Sequence, residues 1–199
     1  MKMKKRVLPV LVLAAFAAFG PAEARSAQFS NVYVFGDSLS DAGYYRGFLR
    51  GIGLPQAVVD AMGRYTTNPG PVWSELVAEY YGVAPRPSNV SGGTIYAQGG
   101  ARVAGTPGVS TPPGQAERPI SAQVSEFLGA NAAADPNALY AVWAGANDLF
   151  FNLGAFQAGA ITQADLQANV LGAATAEIQQ IARLRAAVTL AGQPISQGL

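Results

Sequence analysis

Residues 31–43 of this chain read NVYVFGDSLSDAG. The first five form a short apolar run rich in β-formers, which is typical of a buried strand. Gly36 and Asp37 follow at once and predict a tight loop where that strand ends. A serine hydroxyl, that of Ser38, stands in this loop. Because functional groups collect at the carboxyl ends of strands in open parallel sheets, the stretch predicts a sheet strand with a candidate site at its tip.

Two similar strand-and-loop units lie further along the chain. Residues 94–97 predict a second short strand that ends at Gly99-Gly100, and residues 138–143 predict a third that ends at Gly145. Helices are predicted between and after them, over residues 56–62, 72–81, 120–134 and 162 to about 185. This alternation predicts the α/β class, a parallel sheet flanked by helices. Residues 104–119 predict a Gly- and Pro-rich loop, and 187–199 could begin another strand.

Local signals support three of these helices. In the segment 72–81, Pro71 suits a first-turn position, and an apolar residue recurs every four positions at Val72, Leu76 and Tyr80. The segment 120–134 carries an apolar stripe formed by Ile120, Val124, Phe127 and Leu128. Thr162 with Asp165 three residues later resembles a capping box at the start of the last helix.

The composition excludes several kinds of site. The 199 residues contain no cysteine and no histidine. Without cysteine there is no disulfide framework, no cysteine-based zinc site and no catalytic thiol. Without histidine, the commonest general base and the commonest transition-metal ligand are both missing. We therefore expect no metal and no other cofactor.

Residues 1–24 predict a secretory signal peptide. Lys2, Lys4, Lys5 and Arg6 precede an apolar run of 13 residues, shorter than the roughly 20 that span a bilayer as a helix. A small-residue cleavage pattern, Ala22-Glu23-Ala24, follows that run. An N-terminal membrane anchor is the alternative. The signal-peptide reading predicts a protein of the periplasm, the cell surface or the medium, from a Gram-negative bacterium.

The charge balance argues against nucleic acid as a partner. Four of the 13 basic and one of the 12 acidic residues lie within residues 1–24, so the rest of the chain is mildly acidic. No basic patch that would attract nucleic acid or anionic lipid is evident.

The three predicted strand tips together offer a set of groups with a shared chemistry. Ser38 supplies a hydroxyl, the Gly99-Gly100 pair backbone N–H groups and Asn147 a carboxamide. Ester or amide cleavage needs such a nucleophile and such oxyanion donors. Taken singly, each has a structural explanation: Ser38 as a helix N-cap, Gly99-Gly100 as a turn, and Asn147 as a cap or Asx-turn residue.

In this order the motifs resemble the GDSL esterases and lipases, also called SGNH hydrolases. The stretches that carry the resemblance are FGDSLSDAG (35–43), GRYTTNPGPVWSELVAEYYG (63–82), YAQGGARVAG (96–105) and WAGANDLF (143–150). The likeness is greatest to secreted bacterial members, including passengers of outer-membrane autotransporters. It implies a flavodoxin-like, three-layer α/β/α sandwich with a parallel sheet. Residues 25–199 would be the N-terminal portion of that hydrolase domain, with its C-terminal strands and helix missing.

The resemblance also implies roles for individual residues. Ser38 would be the nucleophile, while Gly100 (favoured over Gly99) and Asn147 would form the oxyanion hole. Asp37 and Asp148 would orient loops. The substrate would be a small acyl ester or a lipid, and a missing C-terminal barrel would provide any contact with the outer membrane.

One block of the family pattern is absent. The family's D-x-x-H block supplies the base and the acid that orients it, and no histidine stands anywhere in this sequence. Asp37 or Asp41 could act as base only with a strongly raised pKa. We therefore expect a truncated, inactive or weakly active esterase. The alternatives are a non-catalytic, secreted ligand-binding remnant and, with no phosphate-loop motif to support it, a flavodoxin-like phosphate-binding module.

Overall fold

The computed structural model describes residues 29–61, 64–66, 70–131 and 133–190. Two strands, β1 (Val32–Gly36) and β2 (Leu139–Trp143), pair in parallel over their whole length, with Val32 opposite Leu139. The helices in the described residues are α1 (Arg46–Gly51), α2 (Gln56–Ala61), α3 (Trp73–Tyr80), α4 (Ile120–Ala130), α5 (Ala146–Gln157) and α6 (Gln163–Leu190), and a short 3-10 helix spans Ser38–Ser40. The chain is therefore of the α/β class.

The predicted second strand lies against the other edge of β1. The Val34 N–H donates to Thr94 O at 3.2 Å, and the Tyr96 N–H donates to Val34 O at 2.7 Å. The pairing is a parallel bridge between Val34 and Ile95 rather than a regular strand. Three parallel segments therefore lie side by side, with β1 in the middle, and their carboxyl ends meet at one edge.

Helices cover both faces of this small sheet. On one face, Phe127 of α4 packs against Phe35 at 5.6 Å and Tyr33 at 4.7 Å between ring centroids, and Leu184 of α6 joins the same buried cluster. On the other face, Val32 and Val34 pack with residues of α3. Alternate residues of β1 point to opposite faces, which is why one apolar strand serves two cores.

The helices foreseen in the sequence and the first and third predicted strands are present, with differences at their ends, whereas residues 94–97 form only a bridge. α4 stops at Ala130 instead of residue 134, because the Asn131 side chain and backbone N–H both donate to Phe127 O and close the helix. α6 continues to Leu190, so a strand beginning at residue 187 is wrong. Ala187 and Val188 pack against the core, and alanine favours the helix. The Thr162–Asp165 capping box is confirmed by reciprocal hydrogen bonds.

The apolar spacing at Val72, Leu76 and Tyr80 does not coincide with the buried face of α3. Leu76 and Tyr80 are 53% and 72% exposed, while Ser74 and Glu75 are buried. The polar face turns inward because the Ser74 hydroxyl donates to Ser40 O at 2.7 Å, which ties the helix to the serine loop. Pro71 lies before the N-cap residue Val72 and not in the first turn.

The sequence pattern does not predict α1 or α5: α1 has only six residues, and the regularly spaced apolar residues of α5 lie on its exposed face. The signal peptide predicted for residues 1–24 and the end of the chain, residues 191–199, lie outside the described residues. Within the described part of the chain, none of the helices combines the length and the apolar character needed to cross a bilayer.

Candidate active site

The loop that follows β1 places Ser38 at the sheet edge. Asp37 is the N-cap of the 3-10 helix and accepts the Leu39 N–H at 3.0 Å, so the alternative in which Ser38 is itself the cap is wrong. Ser38 is the first residue of that helix and is partly exposed. Gly36 permits the sharp exit from the strand, because a Cβ there would lie 2.8 Å from both Ser40 Oγ and Trp143 O.

Asp41 joins the serine loop to the glycine block. Its Oδ2 accepts the Gly99 N–H at 2.7 Å, and its Oδ1 accepts the N–H groups of Gly43 at 2.8 Å and Tyr44 at 2.6 Å. The Tyr45 hydroxyl adds a second link by donating to Gly99 O at 3.1 Å. A single buried carboxylate therefore fixes the two predicted strand tips relative to one another.

Gly100 occupies a position that only glycine can hold. Its φ is +82°, and a Cβ would stand 1.9 Å from Val109 O. The Gly100 carbonyl accepts the Val109 N–H at 2.8 Å, whereas its own N–H has no acceptor within the described part of the chain. The Gly99 N–H, in contrast, is already engaged by Asp41.

Asn147 and Asp148 bind the third tip to the second. The Asn147 amide donates to Ala101 O at 2.8 Å. The Asp148 carboxylate accepts the Val103 N–H at 2.8 Å and the Arg102 Nε at 3.3 Å. Both side chains lie in the first turn of α5, which starts after Gly145 at φ +99°. Ser38, Gly100 and Asn147 therefore belong to the segments that follow the three parallel strand segments, and the hydrogen bonds from Gly99 to Asp41 and from Asn147 to Ala101 link these segments to one another.

Burial raises the pKa of several carboxyl groups around this edge. Desolvation raises the pKa of Asp41 to about 6. Burial also raises the pKa of Asp37, whose Oδ2 finds no hydrogen-bond partner among the described residues, and the Asp148 charge adds to the effect. Both shifts have the direction that a substitute base would need. Since three N–H groups occupy the Asp41 oxygens, that carboxyl is committed to holding the loops.

One acidic residue near the site is not among the site residues predicted from the sequence. Glu177 of α6 lies close to the Ala144 backbone just after β2, and burial together with the Asp148 charge raises its pKa. It lies on the less exposed face of α6 near Ala173 and the buried Gln180, and no local signal in the sequence distinguishes it. Among the described residues, no group of three or more acidic side chains is arranged to hold a metal ion.

Comparison with known proteins agrees with this arrangement. A model of the GDSL-like lipase/acylhydrolase family matches residues 32–196, which is most of the chain. The chain therefore belongs to the GDSL-like lipase/acylhydrolase family. None of the curated proteins searched matches it. Family resemblance makes it a hydrolase acting on esters, and the family implies ester or lipid substrates.

Proposed function

We propose that the chain is a serine esterase whose nucleophile is Ser38. The observation that carries this proposal is the set of hydrogen bonds that joins the three strand-tip loops, Asp41 to Gly99 and Asn147 to Ala101. Such a framework would keep a hydroxyl and two hydrogen-bond donors in fixed positions at one edge of the sheet, as electrostatic stabilisation of an oxyanion requires. Family membership supports the reaction class.

In this proposal the Ser38 Oγ attacks the carbonyl carbon of an acyl ester, and the hydroxyl proton passes to solvent water as the new C–O bond forms. The Gly100 N–H and the Asn147 amide donate to the oxygen that becomes negative. Gly100 is the better candidate of the two glycines because the Gly99 N–H is engaged by Asp41. The alcohol then departs with a proton, and water hydrolyses the acyl-enzyme to release the acid.

The step that these residues support least is removal of the serine proton. The 199 residues contain no histidine, and a positioned base contributes roughly 10²–10⁴-fold to such reactions. We therefore propose that these 199 residues alone hydrolyse esters slowly. The second candidate function, ligand binding without turnover, is favoured by the same absence of histidine.

The test is hydrolysis of p-nitrophenyl butyrate by the chain with and without added imidazole. We expect a low rate that imidazole raises by about tenfold or more, because a free base can accept the proton. Ser38→Ala should abolish both the basal and the rescued rate. Ser91→Ala, the same change at an exposed serine outside the site, should have no effect. Equal rates in the wild type and Ser38→Ala would contradict the esterase proposal and leave ligand binding.

The oxyanion role of Asn147 has its own test. Asn147→Ala should lower the imidazole-supported rate by roughly 10²-fold or more, the usual effect of removing one oxyanion donor. KM should change little if the amide acts in the transition state. Because Asn147 also holds the Ala101 carbonyl, circular dichroism and a melting curve must show that the variant folds.

Three finer expectations remain proposals. We propose that residues 1–24 are a signal peptide that sends the chain out of the cytoplasm, that the helices on both sheet faces belong to a three-layer α/β/α sandwich, and that the domain is of the autotransporter-passenger type. The N-terminal residue of exported protein tests the first: it should be Arg25, and an intact Met1 would contradict it.

A further inference from the structure

Helix α5 presents an apolar face to solvent beside the candidate site. Leu149, Leu153 and Phe156 follow the i, i+4, i+7 spacing that aligns side chains along one side of a helix, and Phe150 widens that side. All four side chains are exposed, Phe150 at 60%. We propose that these four residues, the α5 face, dock the chain on the surface of an uncharged lipid bilayer. The docking goes beyond the esterase function, and only the delivery of a lipid ester to Ser38 rests on that function.

Hydrogen bonds on the opposite side of α5 keep this face outside. The Asn147 amide donates to Ala101 O at 2.8 Å. The Asn152 side chain is buried, and its Oδ1 accepts the Asn169 amide of α6 at 2.8 Å. Turning the helix to bury its phenylalanines would break these hydrogen bonds and leave buried polar groups without partners, which costs more than the exposed apolar surface would gain. The α5 face is therefore a fixed feature of the surface.

The part of the surface that α5 and its flanking residues form carries no charge. Residues 143–164 contain one charged residue, Asp148, and it is buried. Between Leu149 and Ile161, the single exposed polar side chain is that of Gln157. A protein interface has a polar rim and about one hydrogen bond per 100–200 Å², and this surface provides little for either. An uncharged lipid surface requires neither, so it is the partner whose chemistry matches the α5 face.

The α5 face and the candidate site share one short helix. Asn147, the proposed oxyanion donor, lies in the first turn of α5, two residues before Leu149. Phe156 lies about 14 Å further along the helix axis than Asn147. A helix that lies on a bilayer inserts its apolar side about 5–10 Å, to the boundary between headgroups and acyl chains. The ester bonds of glycerolipids lie at that boundary, so a bilayer on the α5 face would hold lipid esters near the sheet edge that carries Ser38.

The experiment is flotation with phosphatidylcholine vesicles, which measures binding without requiring turnover. The double substitution Phe150→Gln and Phe156→Gln should weaken partitioning into the vesicles by about tenfold or more, because it removes two large apolar side chains from the bilayer contact. Glutamine preserves helix propensity, and melting curves verify that the variant folds. The matched control is Leu76→Gln with Tyr80→Gln, which removes two exposed apolar side chains from α3 and should leave partitioning unchanged.

Each protein is measured both as the full chain and as the chain from Arg25, which retains every described residue. The apolar run of residues 7–19 adds lipid binding of its own to the full chain, and this contribution is common to all variants. The comparison between variants is therefore made on the chain from Arg25. Ser38→Ala should bind vesicles as the wild type does while losing hydrolysis, so that failure of the esterase proposal and failure of lipid docking are seen separately.

Two further measurements separate an uncharged lipid surface from other occupants of the α5 face. Addition of anionic phosphatidylglycerol to the vesicles should not strengthen binding, because the face contains no cation, and a gain would contradict the proposal. Vesicles should also disperse the self-associated chain, since lipid and a second copy compete for one face. If vesicles leave such oligomers intact while the α5 double variant dissociates them, the occupant is a second copy and the lipid proposal is wrong. It is equally overturned if the chain from Arg25 does not float with vesicles at about 10 mM lipid, or if the α5 and α3 double variants weaken binding equally.

Discussion

Asp41 is the residue on which the geometry of the candidate site most depends. Its side chain is fully buried and accepts three backbone N–H groups, from Gly43, Tyr44 and Gly99. Each of these hydrogen bonds stabilises the ionised carboxylate, yet desolvation outweighs them and raises the pKa from 3.8 to about 6. The loop junction is therefore sensitive to mildly acidic pH.

This pKa shift predicts a pH-dependent stability that Asp41→Asn should remove. The folded chain holds a proton at Asp41 that the unfolded chain has released, so the contribution of Asp41 is greatest below about pH 4 and falls as the pH rises to about 6. Over that interval the stability of the wild type relative to Asp41→Asn should fall by about 3 kcal/mol. Urea unfolding at several pH values measures it.

Asp165→Asn is the matched control for the Asp41 experiment. Asp165 is exposed at the start of α6, and hydrogen bonds from Thr162 lower its pKa, so its contribution should be lost as the pH falls instead. A difference between wild type and Asp41→Asn that stays constant with pH, or that follows the direction of Asp165→Asn, would contradict the assignment.

At the scale of elements, the sequence predicts those strands and helices whose position depends on the local pattern of apolar residues. β1 and β2 could be predicted because an apolar run leads into glycine, and α4 because Ile120, Val124 and Phe127 share a helix face that is indeed buried. The inward face of α3 could not, because Ser74 and Glu75 are buried by partners distant in sequence, Ser40 and Arg64. Polar burial of this kind follows from tertiary hydrogen bonds and not from periodicity.

The candidate site also has a part that the sequence predicts and a part that it does not. Ser38, Gly100 and Asn147 each follow an element end that is visible in the sequence, so their approximate place was predictable. The Asp41 bridge to Gly99 spans 58 residues, and Glu177 reaches the end of β2 from a separate helix. Nothing in local spacing specifies such pairs.

Gln123 shows how one polar side chain can dock a helix on the sheet. Its amide exchanges two hydrogen bonds with the Gly36 backbone, both at 2.9 Å, and also donates to Arg118 O at 3.0 Å. Gln123→Leu keeps the size but leaves buried backbone groups without partners, so we expect a loss of about 2–4 kcal/mol in unfolding free energy.

The control for this substitution is Gln179→Leu, which makes the same change on the exposed surface of α6 and should alter stability by less than about 0.5 kcal/mol. Chemical denaturation of the three proteins measures the difference. Equal stability of the two variants would show that Gln123 does not dock α4 through these hydrogen bonds.

At the scale of the whole molecule, α5 has its polar side chains inside and its apolar side chains outside, the reverse of an ordinary surface helix. It buries Asn147, Asp148 and Asn152, which hold the glycine block and α6. Its exposed residues include five large apolar ones, Leu149, Phe150, Phe151, Leu153 and Phe156. Because the polar face is needed inside for the site, the apolar side chains are left outside.

An apolar helix face of this kind predicts self-association and binding of apolar dyes. The double substitution Phe150→Ser and Phe156→Ser should lower the fluorescence of bound 8-anilinonaphthalene-1-sulfonate by roughly twofold and shift light scattering towards the monomer, since it removes apolar area from one surface. The matched control is Leu76→Ser with Tyr80→Ser on α3, which removes exposed apolar side chains from a different helix. If both double variants reduce dye binding equally, general surface hydrophobicity explains the effect. If only the α5 variant reduces dye binding, the self-association arises from the apolar face of α5, which is outside because the site requires the polar face inside.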